Sequence, residues 1–311
     1  MSNKISGLHH ITAIAGSAQS NLDFYTKVLG QRLVKKTVNF DDPGTYHFYY
    51  GDEAGTPGTL LTFFPWESIR GGFPGTGMAT SFGYAVPKGS LGFWKDRLQQ
   101  YSVKHEGLKE KFGEKYLAFE DPDGLKIEFI EPTKEDGRKP WETGEIDNKV
   151  ATRGFHVVTL TLRKVEATAK ILTEVLGYQQ VKQEGNLYRF QTDAVNNAAI
   201  IDILETPTGP AGIGGGGTNH HIAFRVKDDN ILMQYREKVL ERGLSITPKI
   251  DRDYFFSLYF REPGGVLFEI ATDNPGFTRD ESLDELGKNL KLPSQYEGMR
   301  SEIEKILPVL K

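Results

Sequence analysis

The chain has 311 residues, 38% hydrophobic and 26% charged, which suits a globular protein with a sizeable core in one large or two medium domains. A net charge of -4 offers no basic face to nucleic acid, and no apolar run approaches the roughly 20 residues that span a bilayer. There is no cysteine, so disulfides and thiolate metal sites are excluded, and the opening Met1–Ser6 lacks an apolar signal core, so a cytoplasmic location is expected.

Taken in chain order, the elements repeat as a strand, a helix, then three strands. Unit one opens at Gly7-Leu8-His9-His10-Ile11-Thr12. A helix is predicted over Ala18–Leu29, with Asn21 and Asp23 near its start and Gly30 at its C-terminal cap. Strands follow through Tyr46–Tyr50 and Thr59–Phe64. Unit two opens at Ser81–Val86, has a helix near Leu91–Tyr101, and closes at Glu128. Unit three opens at Gly154–Leu160, has a helix including Ala167–Leu176, and closes over Ala199–Leu204. Unit four opens at His220-His221, has a helix near Asn230–Gly243, and closes at Glu269-Ile270-Ala271. The starts are spaced by roughly 60 to 75 residues, longer than ordinary solenoid periods. The predicted fold class is α+β, four tandem βαβββ units. Units one and two form an N-terminal domain over 1–131, and units three and four a C-terminal domain over 151–272. The charged, turn-rich stretch 132–150 reads as the linker between them.

The glycine run Gly212–Gly217, broken only by Ile213, reads as a flexible loop. A phosphate cradle would need a helix after it, and a strand follows instead. The tail, 273–311, carries Ile303, Ile306, Leu307 and Leu310 at helical spacing, so a helix is predicted over Glu297–Leu310. It packs on the body or contacts a second subunit of a homo-oligomer.

The copies are unequal in their chemistry. Only units one and four open on a His-His pair; unit two has Ser81 and unit three has Val157 at the position of His221. Side chains alternate along a strand. Ile222, Phe224 and Val226 therefore share the helix-packed face, and His221 the other. Val266, Phe268 and Ile270 likewise leave Glu269 on the face of His221. His10, equivalent to His221, is the third candidate. A strand histidine is ordinarily a satisfied polar residue, and Glu128 stands where Glu269 does without histidines beside it. Two histidines and one carboxylate, however, match the facial set that leaves positions open on Fe(II). His9 and His220 adjoin the ligands. Strict alternation turns them away, but an irregular strand start would return them to the site as supporting donors. His47 is a weaker candidate for lining a cavity, His156 reads as structural, and His105 as solvated.

With these residues in view, the chain resembles the vicinal oxygen chelate superfamily and, within it, the hydroquinone-type ring-cleaving dioxygenases. The resemblance runs over nearly the whole chain. It rests on Gly7–Thr12, Phe24-Tyr25 with Val28-Leu29-Gly30, Gly55–Thr59, Arg153–His156, His220-His221, Pro263–Val266 with Phe268-Glu269, and Pro275–Thr278. It implies two domains with curved mixed sheets, and one Fe(II) per chain on His10, His221 and Glu269. It also implies catalytic or supporting roles for His9, His220, Arg252 and Tyr259. A recombinant sample is expected to carry Zn²⁺ or Ni²⁺ in part, because raw affinity favours both over Fe²⁺.

The implied partners are O₂ and a small aromatic substrate, a substituted hydroquinone. A histidine near the metal is expected to accept the phenolic proton and later return one. Three alternatives share the scaffold: extradiol cleavage of a catechol, a glyoxalase-like isomerase or thiol transferase, and a non-catalytic binder of aromatic compounds. The second often uses four ligands where three are found, and the third has no need of them. Ligands from units one and four also require those units to lie together, which leaves unit two beside unit three.

Overall fold

The computed structural model describes residues 4–311. Unit one contributes β1 (Leu8–Ala15), α1 (Ala18–Asp23), β2 (Arg32–Val38), β3 (Tyr46–Gly51) and β4 (Leu60–Pro65). Unit two contributes β5 (Met78–Ala85), α2 (Leu91–Gln100), β6 (His105–Lys111), β7 (Glu114–Glu120) and β8 (Lys126–Glu131). Unit three contributes β9 (Phe155–Leu162), α3 (Glu166–Lys170), β10 (Gln179–Glu184), β11 (Leu187–Gln191) and β12 (Ile200–Glu205). Unit four contributes β13 (Thr218–Val226), α4 (Asp229–Glu241), β14 (Ile250–Asp251), β15 (Phe255–Arg261) and β16 (Leu267–Pro275).

These strands form two mixed eight-stranded sheets. The first runs β14-β15-β16-β13-β1-β4-β3-β2 and joins units four and one. The second runs β10-β11-β12-β9-β5-β8-β7-β6 and joins units three and two. Each sheet takes one unit from either side of the 132–150 segment. Within the first sheet β1 lies antiparallel to β13 and parallel to β4, while β13 runs parallel to β16. Ile222, Phe224, Val226, Phe268 and Ile270 pack with Leu232, Tyr235 and Val239 of α4, so the apolar face is the helix face. The opposite face carries polar residues of β1, β13 and β16 beside a smaller apolar cluster that includes Ala223, Phe255 and Ala271.

Local chemistry accounts for the helix ends. Ser17 accepts from the Ser20 amide, and Asp228 from the Ile231 amide, satisfying donors that a helix start leaves free. The unit-one helix is α-helical only to Asp23; over Phe24–Val28 it widens to π geometry, with Leu29 N–H donating to Phe24 O. Unit three repeats this over Ile171–Val175. No helix among the described residues is long and apolar enough to cross a membrane.

Two expectations are corrected. The tail helix is shorter than Glu297–Leu310: a 3₁₀ turn over Ser294–Met299 leads into α5 (Arg300–Ile306). Pro308 biases Leu307 to extended backbone and ends it. Ile303 and Leu307 are buried, but Ile306 points to solvent. The glycine run is not a loose loop. It pairs with the 71–76 segment through Phe73 and Ile213, which exchange both main-chain hydrogen bonds at 2.7 and 2.8 Å. At Gly217 the backbone has φ +78°, and a Cβ would lie 2.0 Å from Asp123 O. Glycine is needed there for close approach of two chains.

Candidate metal centre

His10 on β1, His221 on β13 and Glu269 on β16 converge on the face away from the helices. Their ligand atoms lie within 4.8 Å of one another, and all three residues are buried. His10 Nε2 is 3.3 Å from His221 Nε2. Glu269 Oε2 is 3.1 Å from the first and 2.8 Å from the second, without a well-aligned hydrogen bond to either. Among the described residues no fourth ligand joins the group. Beside His10, β4 presents Leu60.

The pairs His9-His10 and His220-His221 meet edge to edge because both strands carry a β-bulge. In the β1–β13 ladder, Leu8 and His10 oppose Phe224 and Ala223, leaving His9 as the extra residue. Thr12 and Ala13 oppose His221 and Asn219, leaving His220 as the other. A bulge re-aims a side chain that alternation would send away. His9 Nδ1 thus lies 2.9 Å from His10 Nδ1, and His220 Nδ1 lies 2.8 Å from His221 Nδ1.

These contacts assign the tautomers by the hydrogen-bond network. Burial, then the neighbouring imidazole, lowers the pKa of His9 well below its usual value and that of His220 to about 4. Both are neutral at pH 7. Burial likewise lowers His221, partly offset by Glu269. For Nε2 of His10 and His221 to carry lone pairs, their Nδ1–H groups must donate to His9 and His220. His9 is then protonated at Nε2 and donates to Thr272 O at 3.1 Å. His220 is protonated at Nε2, which has no protein partner among the described residues. Two imidazole lone pairs and a carboxylate oxygen then face one another in a buried space. Before a metal binds, protons on these Nε2 atoms let His10 and His221 hold the Glu269 carboxyl well below the usual carboxylate range against the upward push of burial; a divalent cation would take their place. Convergent, negatively biased donors with their far sides already bonded are what a divalent cation requires, so the residues fit a metal.

The cavity beside the triad is about 410 Å³. About 150 Å³ suffices for benzene, so a substituted ring fits. His10, His221, His220, Arg252 and Tyr259 all line it. His9 does not; it sits behind His10, bonded to it. Arg252 Nε donates to Tyr259 Oη at 3.3 Å, and burial raises the Tyr259 pKa, so its hydroxyl stays protonated. Phe255 packs on the rings of both His9 and His10 at 5.1 and 5.0 Å. His47 also lines the cavity, with both nitrogens engaged: Nδ1 with Tyr49 Oη at 3.0 Å and Nε2 with Thr62 Oγ1 at 3.1 Å.

Sequence reasoning missed Ser257, whose Oγ donates to Glu269 Oε1. Alternation along β15 puts Ser257 on the face of Tyr259, and that signal would have found it. His105 lies in β6, its Nδ1 against Glu106 O, far from the triad. His156 is bonded to the Glu114 carboxylate at 3.0 Å in the second sheet. That sheet keeps the bulges, at Thr80 and His156, but not the ligands. Glu128, the counterpart of Glu269, pairs with Lys111 at 2.6 Å.

The family model of the Glyoxalase/Bleomycin resistance protein/Dioxygenase superfamily matches residues 7–129 and 154–270. The chain is 46% identical over 310 residues to the "Putative ring-cleaving dioxygenase MhqO" of Bacillus subtilis, covering 99% of this chain and 98% of the relative. It is 38% identical over 308 residues to the chlorohydroquinone/hydroquinone 1,2-dioxygenase of Sphingobium indicum, covering 96% and 95%. A crystal structure of a "putative dioxygenase" from Bacillus subtilis superposes with a TM-score of 0.95 at 45% identity, covering 100% of this chain and 99% of the other. The chain belongs to the glyoxalase/bleomycin resistance protein/dioxygenase superfamily, in its ring-cleaving dioxygenase branch.

Proposed function

We propose that this member of the superfamily is an Fe(II)-dependent dioxygenase that opens a substituted hydroquinone ring with O₂, and that His10, His221 and Glu269 hold its metal. The observation that carries the reading is the buried convergence of two imidazole nitrogens and one carboxylate oxygen, each ligand fixed from behind. The relative from Sphingobium indicum, named for hydroquinone 1,2-cleavage, supports the substrate class. Bound Fe(II) would supply open coordination positions and a redox change, which Zn²⁺ lacks.

The chain's own groups supply the rest. A hydroquinone carries its oxygens across the ring, so one faces the triad and the other the far wall. Asn39, Asp41 and Asp42 of the loop after β2 line that cavity and offer polar partners. Without one, a buried hydroxyl costs about 1–3 kcal/mol. Tyr259 donates its hydroxyl, with Arg252 fixed beside it, to negative charge forming on oxygen. His220, neutral and protonated at Nε2, donates rather than accepts, so it serves the proton-returning half of acid–base work. His9 acts by holding His10.

The test is anaerobic reconstitution with Fe(II), followed by O₂ uptake on matched hydroquinones and catechols. One O₂ consumed per ring opened is expected. A catechol advantage of tenfold or more in kcat/KM, about 1.4 kcal/mol in the transition state, would overturn the hydroquinone assignment. No uptake with either would overturn the dioxygenase itself.

A further inference from the structure

A second, larger cleft adjoins the triad cavity. It encloses about 990 Å³ at the seam of the two sheets and shares His220, His221 and Leu267 with the smaller cavity. Much of its lining is main chain at Gly77, Gly212 and Gly264-Gly265. Its charged lining is cationic throughout: Arg163, Lys164 and Arg261, with no Asp or Glu. All three are exposed. Arg163 and Lys164 form no ion pair among the described residues. Arg261 donates to Gly265 O at 2.6 Å, which orients the guanidinium without neutralising it. Glu262, next to Arg261, is buried beneath the turn, its oxygens taken by Thr168 Oγ1 and the amides of Gly264 and Val266. A concave wall of one sign concentrates ions of the other.

We infer that this cleft binds a small organic carboxylate and, resting on the ring-cleavage reading above, that it receives the ring-opened product. Cleavage beside a hydroxyl-bearing carbon breaks one C–C bond and attaches one atom of O₂ to each carbon released. The hydroxyl-bearing carbon becomes a carboxyl and its neighbour an aldehyde. Both oxygen atoms end in the product, so no reductant is consumed, and the acid releases its proton to water. A neutral ring thus enters and an anion leaves. The triad cavity has Asp41 and Asp42 in its wall against one arginine, Arg252. The cleft has three cations and no acid. His220, His221 and Leu267 line both, and an anion made on one side is favoured on the other.

The probe is cis,cis-muconate, a six-carbon dicarboxylate, titrated calorimetrically into metal-free protein. Neutralising the wall with Arg163→Gln, Lys164→Gln and Arg261→Gln together should weaken muconate by tenfold or more and leave hydroquinone binding unchanged. Arg163→Lys alone should retain muconate binding. Saturating hydroquinone should shift the muconate Kd by less than about threefold, because the sites are distinct. In the iron-loaded enzyme the triple variant should open one ring per single turnover at the original rate, with product inhibition weakened. All three side chains are exposed, and an unchanged thermal midpoint verifies folding. A muconate Kd within twofold of the original in the triple variant would overturn the inference, as would full competition by hydroquinone. Charge-dependent muconate binding without any O₂ uptake would leave the carboxylate site standing and sink the ring-cleavage reading.

Discussion

A neutral imidazole binds a cation through one nitrogen, and its other nitrogen determines which. In this chain that second contact is another histidine, twice. His9 and His220 receive the Nδ1 protons of His10 and His221 and so aim both Nε2 lone pairs at Glu269. Ser257 performs the same service for the carboxylate. Removing a ligand and removing its support should therefore differ in degree. His221→Ala is expected to abolish tight metal binding. His9→Ala and Ser257→Ala should retain the metal with affinity lowered about 10–100-fold. Metal content after dialysis, and titration with a competing chelator, check both. His156→Ala should leave metal affinity unchanged, since its partner is Glu114 in the other sheet. Tyr259→Phe removes the hydroxyl and spares every ligand. It is expected to keep the metal and lower kcat by about 10²-fold, the usual effect of losing one donor to a developing oxyanion. A rate within twofold of the original would remove Tyr259 from the reaction.

At the scale of elements, the site depends on two extra residues, the bulged His9 and His220, and on main chains brought unusually close. Gly217 holds the entry to β13 against the turn at Asp123. Gly217→Ala combines a left-handed backbone with a Cβ 2.0 Å from a carbonyl oxygen. It should destabilise by more than the roughly 1–2 kcal/mol that the backbone conformation alone costs, read as a fall in thermal midpoint. These features mark the limit of legibility in the sequence. The faces of His221 and Glu269 were readable because β13 and β16 are central strands whose apolar residues alternate cleanly. His10 followed from the repeat. The bulges were not readable, because one added residue leaves no compositional trace, and an irregular strand start was the most that could be expected. Edge strands such as β10, Gln179–Glu184, are exposed at every residue, and β6 nearly so. They have no apolar alternation to read. The glycine run was misread because composition records freedom of the backbone and not what packs against it.

At the scale of the molecule, the two sheets differ in how the chain builds them and in what fills their polar faces. The second sheet comes from one contiguous stretch, 78–205, and is held by buried ions: Arg189 bridges Asp202 at 2.8 Å and Glu114 at 2.6 Å, beside Lys111 and Glu128. The first sheet joins the two flanks of the chain, and β1 must find β13 more than two hundred residues away. At its centre one buried carboxylate oxygen, Glu269 Oε2, faces two imidazole nitrogens without a well-aligned hydrogen bond, an arrangement that a divalent cation would complete. Metal should therefore act as a clasp between the flanks. A ligand at 100 times its Kd stabilises by about 2.7 kcal/mol, which for a chain of 311 residues raises the midpoint by roughly 4 °C. Calorimetry of chelator-stripped and metal-loaded protein is expected to show that rise. Glu269→Gln should abolish it, whereas Glu128→Gln should keep it, because Glu128 answers to Lys111 and to no metal. Native-state hydrogen exchange locates the effect: amides of β1, β13 and β16 should slow on loading more than those of β5, β8 and β9. Equal slowing in both sheets would mean that the molecule opens only as a whole, and the clasp would then stabilise the chain without singling out the sheet that contains it.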